Sequence, residues 1–218
     1  MSKTRIYIVR HGQSIGNQKQ LMLGHTDLDL TELGLKQACA TADFLKDTKI
    51  DKIYSSDLKR AYNTALPHAN IRNTGVNALE GLREFYLGDW EGKSVESIIN
   101  DYGDMFAESW HGGFGTFTFP SGEAVMDGGR RFYRQVLSIC EECPDMTILI
   151  AAHAGVIRSF WSIISGIAPE NIVRDLPFPT NASYSICDFI DGVIVPIEYS
   201  SDSHLTEVGI TSVISYKK

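Results

Sequence analysis

Apolar positions along this 218-residue chain follow two rhythms that alternate. Short unbroken runs, Ile6-Tyr7-Ile8-Val9, Ile50 to Ser55 and Thr147 to Ala152, read as buried strands. Between them lie stretches with helical spacing. Thr31 caps a helix through Leu33, Leu35, Ala38, Ala42, Phe44 and Leu45. Ser56 or Asp57 is placed to cap the next, which carries Leu58, Ala61, Ala65 and Leu66 and is expected to stop at Pro67. Gly122 to Glu142 reads as a long helix with Val125, Phe132, Val136, Leu137 and Ile139 inward, weakened in its middle by Gly128-Gly129. Gly155 to Ile164 reads as another. Two late β-rich runs, Ser183 to Phe189 and Val193 to Tyr199, flank Asp191-Gly192, a two-residue hairpin signal. Strand-helix alternation ending in a hairpin predicts an α/β three-layer sandwich: a mostly parallel central sheet, helices on both faces, and an antiparallel edge hairpin.

Composition narrows the class. No repeat, low-complexity tract or linker interrupts the alternation, so one domain over 1–218 is the simplest expectation. No apolar run approaches the roughly 20 residues of a bilayer span, and Met1 to Arg5 leads into a strand without a signal-peptide core. A soluble, cytoplasmic protein is expected. Cys39, Cys140, Cys143 and Cys187 are too few and too scattered for a disulfide framework, and Cys140-Glu-Glu-Cys143 lacks the second pair of a metal site, which leaves a plain helix end. A net charge of −7 argues against nucleic acid or anionic membrane as a partner. An anionic ligand would have to be captured by local cations.

Such cations occur where strands end. Val9-Arg10-His11-Gly12-Gln13 brings an Arg-His pair to the carboxyl end of the first strand, where ligands of open α/β sheets bind. Alone, a histidine there is as readily a turn residue. Ala152-His153-Ala154-Gly155 repeats the arrangement, opening into a helix whose N-terminus is an anion receptor. Ser55 to Arg60 does the same, with Arg60 in the first turn of its helix. Two histidines and two arginines at one sheet edge point to a phosphate pocket.

These blocks also make the chain resemble the histidine phosphatase superfamily, in its phosphoglycerate mutase-like form. The resemblance rests on Arg10-His11-Gly12-Gln13-Ser14 with Asn17, on Gly24 with Leu30 to Gly34 and Gln37-Ala38, on Ser55 to Ala61, on Leu82-Arg83-Glu84 with Gly88-Asp89-Trp90-Glu91-Gly92, and on His153 to Arg158. It implies His11 as nucleophile, Arg10, Arg60 and His153 as phosphate holders, Glu84 as acid/base, and Asn17, Gly24 and the Ala154 backbone N–H as substrate contacts, with no metal or cofactor. Four places depart from the usual pattern: Ala154 where glycine is common, Asp29 for proline, Asn63 for glutamine, and Pro120-Ser121-Gly122-Glu123-Ala124 for a Pro-Gly-Gly-Glu-Ser run.

The segment at about 93–128 is expected to form a lid that sets substrate specificity. Ser94 to Gly129 holds no Lys or Arg, while Glu96, Asp101, Asp104, Glu108, Glu123 and Asp127 alternate with Tyr102, Phe106, Trp110, Phe114, Phe117 and Phe119. A mutase needs extra cations for a small carboxylated substrate. The chain therefore reads as a metal-independent phosphomonoester hydrolase acting through phosphohistidine on a small phosphate ester. The alternatives are a phosphoglycerate mutase and a non-catalytic phosphate-binding or interaction module on the same fold.

Overall fold

A computed structural model describes residues 2–212, so Met1 and 213–218 of the expected domain lie outside it. Six strands form one sheet: β1 (Lys3–Arg10), β2 (Lys52–Ser55), β3 (Asn77–Ala78), β4 (Thr147–Ala152), β5 (Tyr184–Ile190) and β6 (Val193–Ser201), in the order β3-β2-β4-β1-β5-β6. The first four are mutually parallel, and β5 and β6 add the antiparallel edge. Among the described residues, seven α-helices accompany them: α1 (Ile15–Gln18), α2 (Glu32–Phe44), α3 (Lys59–Arg72), α4 (Val95–His111), α5 (Val125–Glu141), α6 (Ala154–Ser165) and α7 (Ile172–Asp175). Ile53, Leu149, Ala151 and Val9 turn one sheet face toward Leu45, Ala65 and Ala69 of the α2–α3 side. Ile6, Ile8, Ile148 and Ile150 turn the other toward Val136, Ile139, Val156 and Phe160 of α5 and α6. Burial on both faces explains why β4 reads as a continuous apolar run, and among the described residues no helix is long and apolar enough to cross a membrane.

The hairpin forms as expected, with Asp191 and Gly192 at φ 49° and 87° in the left-handed geometry that a tight turn demands. Two expectations for α3 are corrected. The helix does not stop at Pro67 but runs to Arg72, because Ala61, Ala65 and Ala69 continue a buried stripe and the Arg72 guanidinium donates to the carbonyls of Leu45 and Thr48. Nor does Ser56 or Asp57 occupy the cap; Leu58 does, without a side-chain bond. Asp57 is drawn away to Arg83, and the first helical N–H, that of Lys59, is instead held by Asp27 at 2.8 Å. The glycine pair in α5 has a packing reason: a Cβ on Gly128 would lie 2.3 Å from Phe85, and one on Gly129 2.7 Å from Ser159 of α6. Sequence periodicity did not announce α1, α7, the two-residue β3 or α4, which breaks its helical backbone at Gly103. Cys140 and Cys143 end α5 inside the core, and all four cysteines are free thiols.

Candidate active site

β1 and β4 are neighbours in parallel register, Arg10 beside Ala152, so the residues that follow them emerge together. His11 and His153 consequently face one another with ring centroids 5.3 Å apart. The turn is tightly seated: a Cβ on Gly12 would lie 2.3 Å from the Gly34 carbonyl oxygen, and the Gly12 N–H donates to Thr64 at 3.0 Å. His11 Nδ1 lies 2.7 Å from the Gly12 carbonyl oxygen. A carbonyl only accepts, so Nδ1 carries the proton and Nε2 keeps the lone pair. Burial, then the charges of Arg10 and Arg60, hold the His11 imidazole well below its usual range, in the neutral form.

Arg10 and Arg60 are almost fully buried. Arg10 Nη1 donates to Pro179 O at 2.6 Å, while Arg60 donates to Thr26 O at 2.9 Å and Gly24 O at 2.7 Å. Burial lowers both to about 10, which leaves them cationic at neutral pH. Arg10 Nε and both ring nitrogens of His153 are buried without a partner among the described residues. Unsatisfied donors beside two guanidinium groups are what an anionic ligand would complete.

Glu84 lies across the pocket at the N-terminus of α6. Its Oε2 accepts from Gly155 N and its Oε1 from Val156 N, both at 2.9 Å, and Phe85 N adds a third bond at 3.2 Å. The helix start inferred to receive an anion thus holds this carboxylate. Burial nevertheless raises the Glu84 carboxyl above its ordinary value, against the opposing pull of those N–H groups and of Arg60.

A pocket of about 850 Å³ opens over these groups, and Arg10, His11, Asn17, Arg60, Glu84 and Ala154 all line it. Asn17 Oδ1 accepts from Ser14 N and Asn181 Nδ2, both at 3.1 Å, which leaves its Nδ2 as the donor available to a ligand. Gly24 stands outside the wall and its carbonyl holds Arg60; a Cβ there would lie 2.1 Å from Glu91 Oε1. His153, expected to hold the phosphate, is fully buried beside His11 and does not itself line the pocket. Two departures from the expected pattern compensate each other, since Asn63 Nδ2 donates to Asp29 Oδ1 at 2.7 Å. Ala124, where a serine is usual, takes the cap of α5 with no side-chain bond.

The aromatic segment divides. Trp110, Phe114 and Phe119 line the pocket, while Tyr102, Phe106 and Phe117, with Phe119, gather round buried Trp90 at centroid distances of 5.5–5.8 Å. Phe85, Leu87 and Phe178, with Leu21, Met22 and Leu23, complete the apolar wall and were not singled out from sequence. Phe85 and Leu87 adjoin Glu84 and carried a positional signal; Phe178 sits in an irregular loop and carried none. Asn181, which donates to the His11 carbonyl, was missed for the same reason.

The chain is similar to several known proteins. A mycobacterial glucosyl-3-phosphoglycerate phosphatase, solved in complex with VO3, superposes with a TM-score of 0.82 at 28% identity, over 91% of this chain and 99% of that one. The 2,3-bisphosphoglycerate-dependent phosphoglycerate mutase of Bartonella henselae is 31% identical over 213 residues, 94% of this chain and 97% of its own. Phosphoserine phosphatase 1 of Hydrogenobacter thermophilus is 29% identical over 208 residues, 93% and 95% of the two chains. The profile of the histidine phosphatase superfamily, branch 1, matches residues 6–202. With two histidines, two arginines and a carboxylate gathered at one sheet edge, this chain belongs to that branch of the histidine phosphatase superfamily.

Proposed function

We propose that this protein is a phosphomonoester hydrolase that works through phospho-His11, without a metal, on a small phosphorylated metabolite. The observation that carries the reading is the neutral His11 with its Nε2 lone pair free, set between two buried guanidinium groups and opposite Glu84. Nε2 attacks phosphorus, the ester P–O bond breaks, and Glu84 passes its proton to the leaving oxygen. Water then attacks phosphorus, giving a proton to the Glu84 carboxylate; the P–Nε2 bond breaks, and phosphate leaves with His11 neutral again. Arg10 and Arg60 hold the equatorial oxygens through both steps, the role for which a metal would otherwise be needed.

Transfer to water is favoured over transfer to a second position of a phosphoglycerate. Among the described residues lining the pocket, Arg10 and Arg60 are the cations, and both serve the phosphate; Trp110, Phe114, Phe119, Phe178, Leu23 and Leu87 are among the apolar side chains of the wall, beside the polar Ser14, Asn17 and Ser109. A glycerate carboxylate finds no further counter-charge among those described residues. The 93–128 segment supplies Ser109, Trp110, Phe114 and Phe119 to that wall, which supports its reading as a specificity lid.

The test is acid quench after incubation with an aryl phosphate, with and without chelator. We expect acid-labile phosphoprotein and steady phosphate release that chelator leaves unchanged, both lost in His11→Ala. Turnover that requires a phosphoglycerate acceptor would instead establish a mutase, and the absence of any phosphoryl transfer would leave a binding module.

A further inference from the structure

Arg131 of α5 is tied into the pocket from behind and takes no part in the chemistry described above. Its guanidinium makes five hydrogen bonds, one for each N–H. Nη1 donates to the carbonyls of Gly81 and Arg83, both at 3.0 Å, and Nη2 to the carbonyl of Glu84, also at 3.0 Å. Nε and Nη2 are gripped by Glu123 Oε1 and Oε2 at 3.1 and 3.0 Å. Three carbonyls of the short stretch that ends in the acid/base residue are thus gathered on one cation. Glu123 is itself fixed to the next turn of that stretch, since its N–H donates to the Tyr86 carbonyl at 2.8 Å and its Oε2 accepts from Tyr86 N at 3.3 Å.

We infer that Arg131, aligned by Glu123, is a positioning residue for Glu84: it fixes the backbone from which the Glu84 carboxylate reaches the N-terminus of α6. Glu84 is then held at two points, its carbonyl by Arg131 and its carboxylate by Gly155 and Val156. The neighbouring Arg83 side chain is separately paired to Asp57, so the loop lacks freedom on either side of the acid. Lysine cannot reproduce the arrangement, because a single ammonium has three donors and no planar fork. The Glu123–Arg131 pair also joins the end of the aromatic segment to the acid/base residue, so the pocket wall and the proton donor are set by one clamp.

The inference rests on the phosphohistidine reading, and the leaving group of the substrate tests it. A 2,4-dinitrophenolate departs without a proton, whereas phenolate and alkoxide need one from Glu84. kcat/KM would be measured for dinitrophenyl, phenyl and alkyl phosphates with the wild type, Arg131→Met, Arg131→Lys, Glu123→Gln and Glu84→Gln. We expect Arg131→Met to lose about 10- to 100-fold on the alkyl ester, the scale of a misplaced catalytic group, while the dinitrophenyl ester is nearly unchanged. Arg131→Lys should follow the same pattern, Glu123→Gln should show it more weakly, and adding Arg131→Met to Glu84→Gln should cost nothing further. An equal loss on all three esters in variants that still form phosphoenzyme overturns the positioning role and leaves the hydrolase reading standing. If Arg131→Met fails to fold by circular dichroism, Glu123→Gln, which keeps the shape of the side chain, decides between the same two outcomes. Wild-type protein that forms no acid-labile phosphoenzyme overturns the hydrolase reading and this role with it.

Discussion

In the proposed reaction two titrating side chains set the working pH. His11 is active only when neutral, and burial beside Arg10 and Arg60 depresses its pKa well below 6.5, so activity falls on the acid side only once pH drops below the ordinary imidazole range. Glu84 must donate a proton in the first step, and burial raises its pKa above 4.5, so activity falls as pH rises through that elevated value. The kcat/KM profile of a phenyl ester is therefore expected to be a bell displaced to acid, with its alkaline limb removed in Glu84→Gln; an alkaline limb that survives that substitution would assign it elsewhere. The Arg10-His11 pair was legible because it stands where a strand ends. The tautomer was not, since it depends on a single carbonyl, that of Gly12, lying 2.7 Å away.

At the scale of elements, α3 shows local preference overruled by packing. Pro67 lacks the N–H that would close a bond to Asn63 and ordinarily ends or kinks a helix. Here Thr64, Ala65, His68 and Ala69 bury one side of the helix on either side of it. That burial offsets the lost bond, and the helix continues to Arg72. Pro67→Ala should accordingly raise the unfolding free energy by about 1–3 kcal/mol in denaturant titration, the restored helix bond outweighing the greater freedom of the unfolded chain. The cap of the same helix was illegible for a related reason. Its first N–H is held by Asp27, a residue 32 positions earlier, and no reading of neighbours in sequence reports such a bond.

Across the whole molecule, Trp90 links the pocket to the segment above it. Its indole, fully buried, packs against Tyr102, Phe106, Phe117 and Phe119, and so anchors the stretch from which Trp110 and Phe114 reach the pocket. Trp90→Ala is expected to cost about 3–5 kcal/mol of stability. Trp90→Phe should cost less, about 1–2 kcal/mol, because among the described residues the buried Nε1 has no partner to lose and an aromatic ring still fills most of the site. Chemical denaturation of both variants checks the pair; equal losses would show that shape, not burial, decides the site.

The sequence by itself determined the strand-helix alternation, the hairpin, and the identity of the groups at the strand ends, because hydrophobic period and turn chemistry are local properties. It also determined that the aromatic segment brings no cation. Only the tertiary structure decided which aromatics face the ligand, that Gly24 supports Arg60 rather than lining the wall, that Glu84 occupies the start of α6, and that Arg131 binds the backbone of the acid/base residue from another helix. Each of these is a contact between residues distant in the chain, where burial and unsatisfied hydrogen-bonding groups select partners that no local pattern encodes.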